Sequence, residues 1–244
     1  MADKQLHELF LKLDLSDFEF KNANKSINTQ RKLLLQSTQT ISKQEYGAGS
    51  RILNNKQQSV KRMTQIGACA PILGKTLFNL ASIFNTQQVL EFGTQLGLGT
   101  AYLAASTSTY SITSMEACPE TLKIANDFFS KYKHEEKIET ILGTFDNTLT
   151  QLHSKHKKFN LFYIDGDHRF SSVLRYFNFC KANLAAPNAI YVIDDINWSI
   201  GMHRAWRQIC QQTNALCLNA GRFGIIITKD TRIRGNFMLK FSKP

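Results

Sequence analysis

The sequence has 244 residues, of which 43% are apolar, so it holds enough apolar side chains for one sizeable core. Its formal net charge is +11. It contains no uninterrupted apolar run of the about 18 residues that a transmembrane helix needs. Its N-terminal stretch MADKQLHELFLKLDLSDF lacks the apolar segment of a signal peptide. Five scattered cysteines without a CxxC pair argue against a disulfide framework and a zinc site, so we expect reduced thiols and a cytoplasmic protein.

The positive charge is concentrated in the two flanks of the sequence. Residues 1–88 hold 12 basic and 6 acidic residues, and residues 200–244 hold 8 basic residues and 1 acidic residue. Residues 89–199 between them hold 10 basic and 12 acidic residues. A basic surface can meet nucleic acid or an anionic substrate, but flanking lysines also simply keep a protein soluble. Because no basic stripe is interleaved with aromatic residues, the sequence favours the second explanation.

The first third of the chain is predicted to be helical. Helical patterns cover residues 5–13, 28–44 and 57–85. The last of these is expected to be interrupted near Pro71, because proline lacks the amide proton that a helix interior needs. We therefore predict an N-terminal helical cap over residues 1–85.

From residue 86 onward, short apolar runs alternate with segments of helical length. The predicted strands are 88–92, 110–116, 137–142, 160–165, 189–194 and 222–228, and the predicted helices are 99–107, 119–132, 168–184 and 201–213. This alternation predicts parallel βαβ units, with helices on both faces of the sheet, in one compact unit over residues 86–244. The runs 222–228 and 235–241 follow each other closely, which predicts an antiparallel C-terminal hairpin strand at the sheet edge.

The stretch VLEFGTQLGLGTAYLA, residues 89–104, places three glycines between a strand and a helix. Glu91 closes the strand, Gly93 begins the turn, and Gly97 and Gly99 lie where the helix starts. Glycine permits positive φ and close approach of a ligand, and a helix N-terminus offers amide donors to an anion. Ligands of open α/β sheets bind beyond the carboxyl ends of the strands, so the stretch is either a cofactor turn or a flexible connection.

Glu116 favours the first explanation. It ends the second predicted strand, 25 residues after Glu91. A carboxylate at this strand end can accept hydrogen bonds from both ribose hydroxyls of a nucleoside. Taken alone, such an acid fits a solvated loop residue equally well.

The spacing Gly93-xxx-Gly97-x-Gly99, two residues after Glu91, resembles the E/DxGxxxGxG motif of class I S-adenosylmethionine-dependent methyltransferases, and it matches the dinucleotide motif GxGxxG poorly. The resemblance implies an α/β, Rossmann-like, mostly parallel seven-stranded sheet, with S-adenosylmethionine as the cofactor. The residues implied in cofactor binding are Glu91, Gly93, Thr94, Gly97, Gly99, Glu116, Thr144, Phe145 and Asp165, with Asp146 as a further candidate beside the adenine ring. Phe145 would serve equally well as a core anchor.

Two acidic stretches, YIDGDHRF at 163–170 and VIDDINW at 192–198, each follow an apolar strand. Parallel strands end at the same sheet edge, so the four carboxylates would raise one another's pKa values unless a cation intervenes. Carboxylate oxygens are the ligands that a hard divalent ion prefers, so the pattern predicts a Mg²⁺ site.

These acids also resemble those of metal-dependent O-methyltransferases of the catechol and caffeoyl-CoA type and of the macrolide and aminocoumarin sugar type. The resemblance implies that Asp165, Asp194 and Asp195 hold the metal and that His168 stands where catechol-type enzymes have a lysine as general base. Asp167 is the alternative base or a further ligand. In the alternative without a metal, Asp194 and Asp195 cap the following helix and His168 simply begins the helix after its strand.

Three further features would shape the acceptor site. The stretch EYGAGSR, residues 45–51, resembles one in uncharacterised bacterial methyltransferases, so Tyr46, Ser50 and Arg51 would form a lid unless the stretch is only a helix-ending turn. Trp198 and His203 are candidates to line the acceptor pocket, or they contribute packing.

The function implied by the resemblance is methyl transfer from S-adenosylmethionine to a hydroxyl of a small-molecule acceptor, assisted by Mg²⁺, in an enzyme that is often a homodimer. The basic flanks leave RNA or protein as alternative acceptors, although nucleic acid is not favoured, and no membrane partner is expected. A nucleotide-binding module without catalysis is the alternative of another class. The glycine spacing disfavours a dinucleotide oxidoreductase.

Overall fold

The computed structural model of the protein describes residues 2–14, 18–42, 57–228 and 233–240. The helices are α1 (Ala2–Asp14), α2 (Phe18–Gln36), α3 (Val60–Ile66), α4 (Pro71–Ile83), α5 (Leu98–Ala105), α6 (Pro119–Phe129), α7 (Phe145–Ser154), α8 (Phe170–Phe179) and α9 (Ile200–Gln212). The strands are β1 (Thr40–Ser42), β2 (Gln57–Ser59), β3 (Gln88–Phe92), β4 (Ser111–Glu116), β5 (Ile138–Leu142), β6 (Phe159–Ile164), β7 (Ala185–Ile193), β8 (Leu216–Asn219), β9 (Gly224–Ile227) and β10 (Gly235–Met238).

The central sheet has the order β10-β8-β9-β7-β6-β3-β4-β5 in the described part of the chain. The five strands from β3 to β7 are mutually parallel, so the carboxyl ends of all five lie at one edge. The chain runs outward from β3 through β4 to β5 and then returns to the other side of β3 with β6. The strand order therefore reverses between β3 and β6, where open α/β sheets bind their ligands. The predicted mostly parallel, Rossmann-like sheet is confirmed.

The C-terminal part of the sheet differs from the prediction. The hairpin joins β8 to β9, which is antiparallel to both β8 and β7, whereas β10 pairs in parallel with β8 at the edge. Runs 222–228 and 235–241 are thus not neighbours, and the described sheet has eight strands in place of the predicted seven. The prediction missed β8, whose four residues Leu216–Asn219 lie between α9 and the run that was predicted as a strand over 222–228.

The helical N-terminal region also contains two short strands. The helix predicted over 28–44 is α2, which ends at Gln36, and β1 follows it and pairs with β2. The helix predicted over 57–85 is interrupted before Pro71, as expected: α3 ends at Ile66, and α4 begins at Pro71, because the first position of a helix needs no amide donor. The division of the chain at residue 85 stays a prediction.

Helices cover both faces of the sheet. Val89, Leu161 and Ile190 of neighbouring strands face one core, which contains buried residues of α2, α4 and α5. Leu90 and Phe162, the next residues after Val89 and Leu161 in their strands, face a second core that contains buried residues of α7, α8 and α9. This alternation explains why the strands are apolar on both faces, and it fixes the strand ends that carry the site.

Among the described residues, no single helix is long and apolar enough to span a membrane. The bent pair α3 and α4, which meet at 68°, reaches that length and composition only when the two helices are taken together.

Candidate active site

The glycine turn after β3 is required by the protein's own packing. Gly93 and Gly97 have φ values of +91° and +81°, in the left-handed region that favours glycine. A Cβ on Gly93 would lie 2.2 Å from the carbonyl oxygen of Asp165, and a Cβ on Gly97 would lie 2.7 Å from the ring of Phe129. No side chain of the described residues caps α5, so its first amide groups remain available as donors. The turn therefore brings a helix N-terminus and strand β6 together at the reversal of the strand order.

Glu91 and Thr94 brace this turn from inside. The buried Glu91 carboxylate accepts hydrogen bonds from Thr100 Oγ1 at 2.5 Å and Ser114 Oγ at 2.6 Å. Burial raises the pKa of Glu91 to about 7, although these hydrogen bonds oppose the rise. Thr94 is also buried, and its hydroxyl is 2.6 Å from the hydroxyl of Ser114. Gly99 leaves room for Glu91, since a Cβ there would lie 2.8 Å from Glu91 Oε1.

Glu116 is fixed at the end of β4 by backbone amides. Its Oε2 accepts from the amide of Gln95 at 3.0 Å, and its Oε1 accepts from those of Ala117 and Cys118, each at 2.9 Å. Gln95 belongs to the glycine turn, so the carboxylate is tied directly to that turn. The side chain is partly exposed, and a carboxylate has further lone pairs that can accept from ribose hydroxyls.

The residues after β5 pack against the same edge. The Phe145 ring lies 5.2 Å from that of Phe92 and 5.5 Å from that of Tyr176, centroid to centroid. A Cβ on Gly166 would lie 2.7 Å from the Phe145 ring. Phe145 thus packs against the second core beneath the end of β6, which agrees with one of its two predicted roles, and its contact with the adenine ring stays a prediction.

Its neighbours in sequence are engaged in local structure. Thr144 is the N-cap of α7, and its hydroxyl accepts from the amide of Asn147 at 3.5 Å. Asp146 is exposed and forms an ion pair with Arg175 at 2.9 Å.

The predicted acidic residues do converge. Asp165 follows β6, and Asp194 and Asp195 follow β7. Asp165 Oδ2 accepts a hydrogen bond from the Tyr163 hydroxyl at 2.9 Å. His168 lies between the two strand ends, with Nε2 3.6 Å from Asp165 Oδ1 and 3.7 Å from Asp195 Oδ2. His168 precedes α8 and does not begin it, and Ser199, rather than Asp194 or Asp195, caps α9.

Arg222 completes this cluster, and the sequence analysis did not name it. Its Nε and Nη2 donate to the two oxygens of the fully buried Asp194 at 3.2 and 3.1 Å, and Nε also lies 3.2 Å from Asp195 Oδ1. Burial alone would lower the pKa of Arg222, but Asp194 and Asp195 outweigh it and raise that pKa. The signal that could have revealed Arg222 is charge balance, since acids that cluster at neighbouring strand ends require a cation.

The electrostatics of the carboxylates follow from their surroundings. Burial raises the pKa of Asp165 well above its ordinary value, and the like charges of Asp194 and Asp195 raise it further. Burial also raises the pKa of Asp194, although Arg222 opposes that shift. The cluster therefore carries less negative charge than its composition suggests.

Asp167, the alternative base, is held away from such a role. Its carboxylate accepts from Arg169 Nε at 2.5 Å and Nη2 at 2.7 Å and from the Tyr176 hydroxyl at 3.4 Å. The Asp167 side chain is only 3% exposed. An acid enclosed by a guanidinium is a poor proton acceptor, because the nearby positive charge stabilises its ionised form.

The predicted Mg²⁺ site does not fit the residues present. Both oxygens of Asp194 accept from Arg222, and Oδ1 also accepts from the amide of Asp195 at 2.8 Å. Across residues 2–14, 18–42, 57–228 and 233–240, no group of three or more His, Cys, Asp or Glu side chains is arranged to hold a metal ion.

The remaining predicted site residues are Trp198 and His203, which follow the acidic pair in the chain, and three residues of the stretch 45–51. Trp198 is half-buried against the second core, and its amide donates to the Asp195 carbonyl at 2.9 Å. His203 is hydrogen-bonded to Asn197 at 3.0 Å and lines a cavity of about 280 Å³ between α9, β8 and β10. Tyr46, Ser50 and Arg51 lie outside the described residues.

Known proteins share this architecture. Residues 90–196 match a family model described as a methyltransferase domain. No curated protein sequence matches the chain. The O-methyltransferase from Bacillus cereus in complex with SAH is 22% identical, with a TM-score of 0.57 over 66% of this chain and 83% of that one.

Two further solved structures extend the comparison. The O-methyltransferase TomG from Streptomyces achromogenes in complex with SAM is 17% identical, with a TM-score of 0.59 over 67% of this chain and 82% of that one. The SAH-bound methyltransferase from Podospora anserina is 13% identical, with a TM-score of 0.62 over 88% of this chain and 99% of that one. The family match and the shared fold confirm the resemblance to class I S-adenosylmethionine-dependent methyltransferases.

Proposed function

We propose that the protein transfers a methyl group from S-adenosylmethionine to a hydroxyl of a small molecule. The carrying observation is Glu116, a carboxylate held by three backbone amides at the strand end and joined through Gln95 to the glycine turn. Such a carboxylate would bind the ribose hydroxyls, while the uncapped start of α5 would receive the cofactor's carboxylate. When bound, S-adenosylmethionine supplies a methyl group on a sulfonium, which is open to in-line displacement.

His168 is the proposed base for the acceptor. Its Nε2 faces the Asp165 and Asp195 carboxylates, so we assign Nδ1 to receive the acceptor's proton. His168 would take the proton of the acceptor hydroxyl, while bound S-adenosylmethionine would supply the methyl group and keep the electron pair of its C–S bond on sulfur. Asp167 is not proposed for this role, because Arg169 and Tyr176 engage its carboxylate. Most of the rate gain would come from aligning donor and acceptor.

Calorimetric titration with S-adenosylhomocysteine tests the cofactor site. We expect micromolar binding to wild type, no binding of NAD, and a loss of at least about tenfold in Glu116→Ala, since hydrogen bonds to a charged group contribute about 1.5–3 kcal/mol each. The control is Glu135→Ala, which removes an exposed carboxylate remote from the turn and should leave the affinity unchanged. Equal binding by wild type and Glu116→Ala would refute the ribose assignment.

Several predicted features remain part of the proposal. A cytoplasmic setting agrees with the five buried, free cysteines and is tested by locating the protein in the cell, and a homodimer is tested by measuring the mass of the protein in solution. Mg²⁺ assistance would require rearrangement of Arg222, so activity that depends on Mg²⁺ would contradict the geometry described above.

RNA or protein as acceptor is a second candidate, favoured by the basic flanks. Methylation of a macromolecule that weakens as salt is added would support it, because salt competes with phosphate contacts. A binding module without catalysis would instead bind S-adenosylhomocysteine but methylate no hydroxyl acceptor.

A further inference from the structure

The backbone fixes Arg222 beside the acids. Arg222 lies in the turn between β8 and β9, and its carbonyl accepts from the amide of Ile196 at 2.9 Å. Ile196 directly follows Asp194 and Asp195, so the loop that carries the acids and the hairpin that carries the arginine are joined by a main-chain hydrogen bond. The Asn197 side chain also donates to the carbonyl of Gly221, one residue before Arg222. These hydrogen bonds therefore hold the backbone of Arg222 next to the acidic cluster.

The guanidinium also divides the oxygens of the two strand ends into two sets. Both oxygens of Asp194 and Oδ1 of Asp195 face Arg222, at 3.1 to 3.2 Å. Asp195 Oδ2 and Asp165 Oδ1 face His168 Nε2. A divalent cation would need several of these oxygens to converge on one open point, whereas here Arg222 lies against three of them and His168 Nε2 lies 3.6 and 3.7 Å from the other two.

We propose that Arg222 takes the place of a divalent cation in this site: it neutralises Asp194 and Asp195 and leaves the free oxygens to orient His168. Arg222 is a positioning residue, since it acts through Asp195. The ion pairs with Asp194 and Asp195 hold the guanidinium charge at the site without any ligand. The part of the proposal that concerns His168 rests on the proposed function, whereas the exclusion of metal by Arg222 does not.

Metal binding by variants tests the proposal directly. Chelator-treated protein is titrated with Mn²⁺, and free Mn²⁺ is followed by electron paramagnetic resonance. We expect no stoichiometric site in wild type. Arg222→Met, which removes the charge but keeps much of the stem, should bind one Mn²⁺ at least about tenfold more tightly than wild type, because it frees carboxylate oxygens. Arg222→Lys should exclude Mn²⁺ as wild type does.

Arg175→Met is the matched control. Arg175 also pairs with a carboxylate, Asp146, but that pair is exposed and lies outside the acidic cluster. Its loss should create no Mn²⁺ site, so a gain restricted to Arg222→Met would be specific to the cluster. A general effect of lost positive charge would appear in both variants and would overturn the proposal.

The remaining outcomes are also decisive. A stoichiometric Mn²⁺ site in wild type overturns the proposal, and this holds even if Arg222→Met fails to fold. Unchanged Mn²⁺ binding in a folded Arg222→Met protein, verified by its melting curve, overturns it as well. Binding of S-adenosylhomocysteine is measured in parallel: its absence in wild type would refute the proposed function, whereas normal binding together with a wild-type Mn²⁺ site would refute only the role of Arg222.

Discussion

The two sides of the crevice between β3 and β6 present different chemical groups: backbone amides on one side and charged side chains on the other. The turn side, formed by the glycine turn and Glu116, presents backbone amides, and its buried side chains brace the turn from inside. The acid side, formed by Asp165, Asp194 and Asp195, presents side-chain charges. Arg222, which is remote in the sequence but adjacent in space, neutralises part of that charge. Backbone donors stay where the helix puts them, whereas clustered charges need a partner from elsewhere in the chain. The first side therefore depends on local conformation and the second on tertiary structure.

The largest expected effect comes from breaking the contact between the two sides. Gly93→Ala places a Cβ 2.2 Å from the Asp165 carbonyl oxygen at a φ of +91°. We expect a loss of about 4 kcal/mol in the free energy of unfolding, because a steric clash adds to left-handed backbone strain. Urea denaturation followed by circular dichroism measures it.

Gly221→Ala separates strain from clash. Gly221 has a φ of +81°, and a Cβ there would meet no described atom within 4 Å. We expect a loss of about 1–2 kcal/mol from strain alone. If both variants lose equal stability, the close approach of β6 to the turn contributes nothing, and the two sides are not coupled there.

Glu91 provides a pH-dependent test of the turn side. Its pKa is raised from 4.5 to about 7, so the native state holds this proton more tightly than the unfolded state does. The contribution is fully present below pH 4.5 and is lost as the pH rises through about 7, which corresponds to about 3 kcal/mol over that interval. Glu91→Gln should remove this dependence. Parallel pH profiles of stability for wild type and variant would show that Glu91 does not change its charge in this window.

The sequence predicts the turn side well because its determinants are close together in the chain. Glu91, the three glycines and Glu116 fall within one βαβ unit, and each strand end is marked by an acid or a glycine. The parallel sheet follows from alternation for the same reason.

The acid side is predicted only in part. Asp165, Asp194 and Asp195 are found from the strand ends, but Arg222 is 28 positions beyond Asp194 and reaches it through the missed strand β8. A charge-balance argument requires a cation without saying which, and the residues that the structure brings together supply Arg222 rather than a Mg²⁺ site. Asp167 shows the same limit: it has a backbone φ of +47° and pairs with Arg169, and the spacing of the acids in the sequence reveals neither.

Phe145 tests how the two sides share a core. Its ring contacts Phe92 at the end of β3 and lies against Gly166 after β6. Phe145→Leu should cost about 1–2 kcal/mol of stability through lost ring contacts, with no more than about a twofold change in affinity for S-adenosylhomocysteine. Thermal melting and calorimetry measure the two effects. A large loss of affinity without a loss of stability would instead identify Phe145 as an adenine contact.

The smallest expected effect belongs to Asp146, which was the other candidate for ring contact. It lies in the first turn of α7 and pairs with Arg175, and both side chains are more than half exposed, at 58% and 56%. Asp146→Asn should lower stability by no more than about 0.5 kcal/mol at low salt, because exposed ion pairs and helix-dipole interactions are weak and screened. The effect should vanish at high salt, as melting curves at two salt concentrations would show. A loss of cofactor affinity in Asp146→Asn that persists at high salt would mean that the carboxylate binds the cofactor and that the turn side of the crevice extends beyond backbone donors and Glu116.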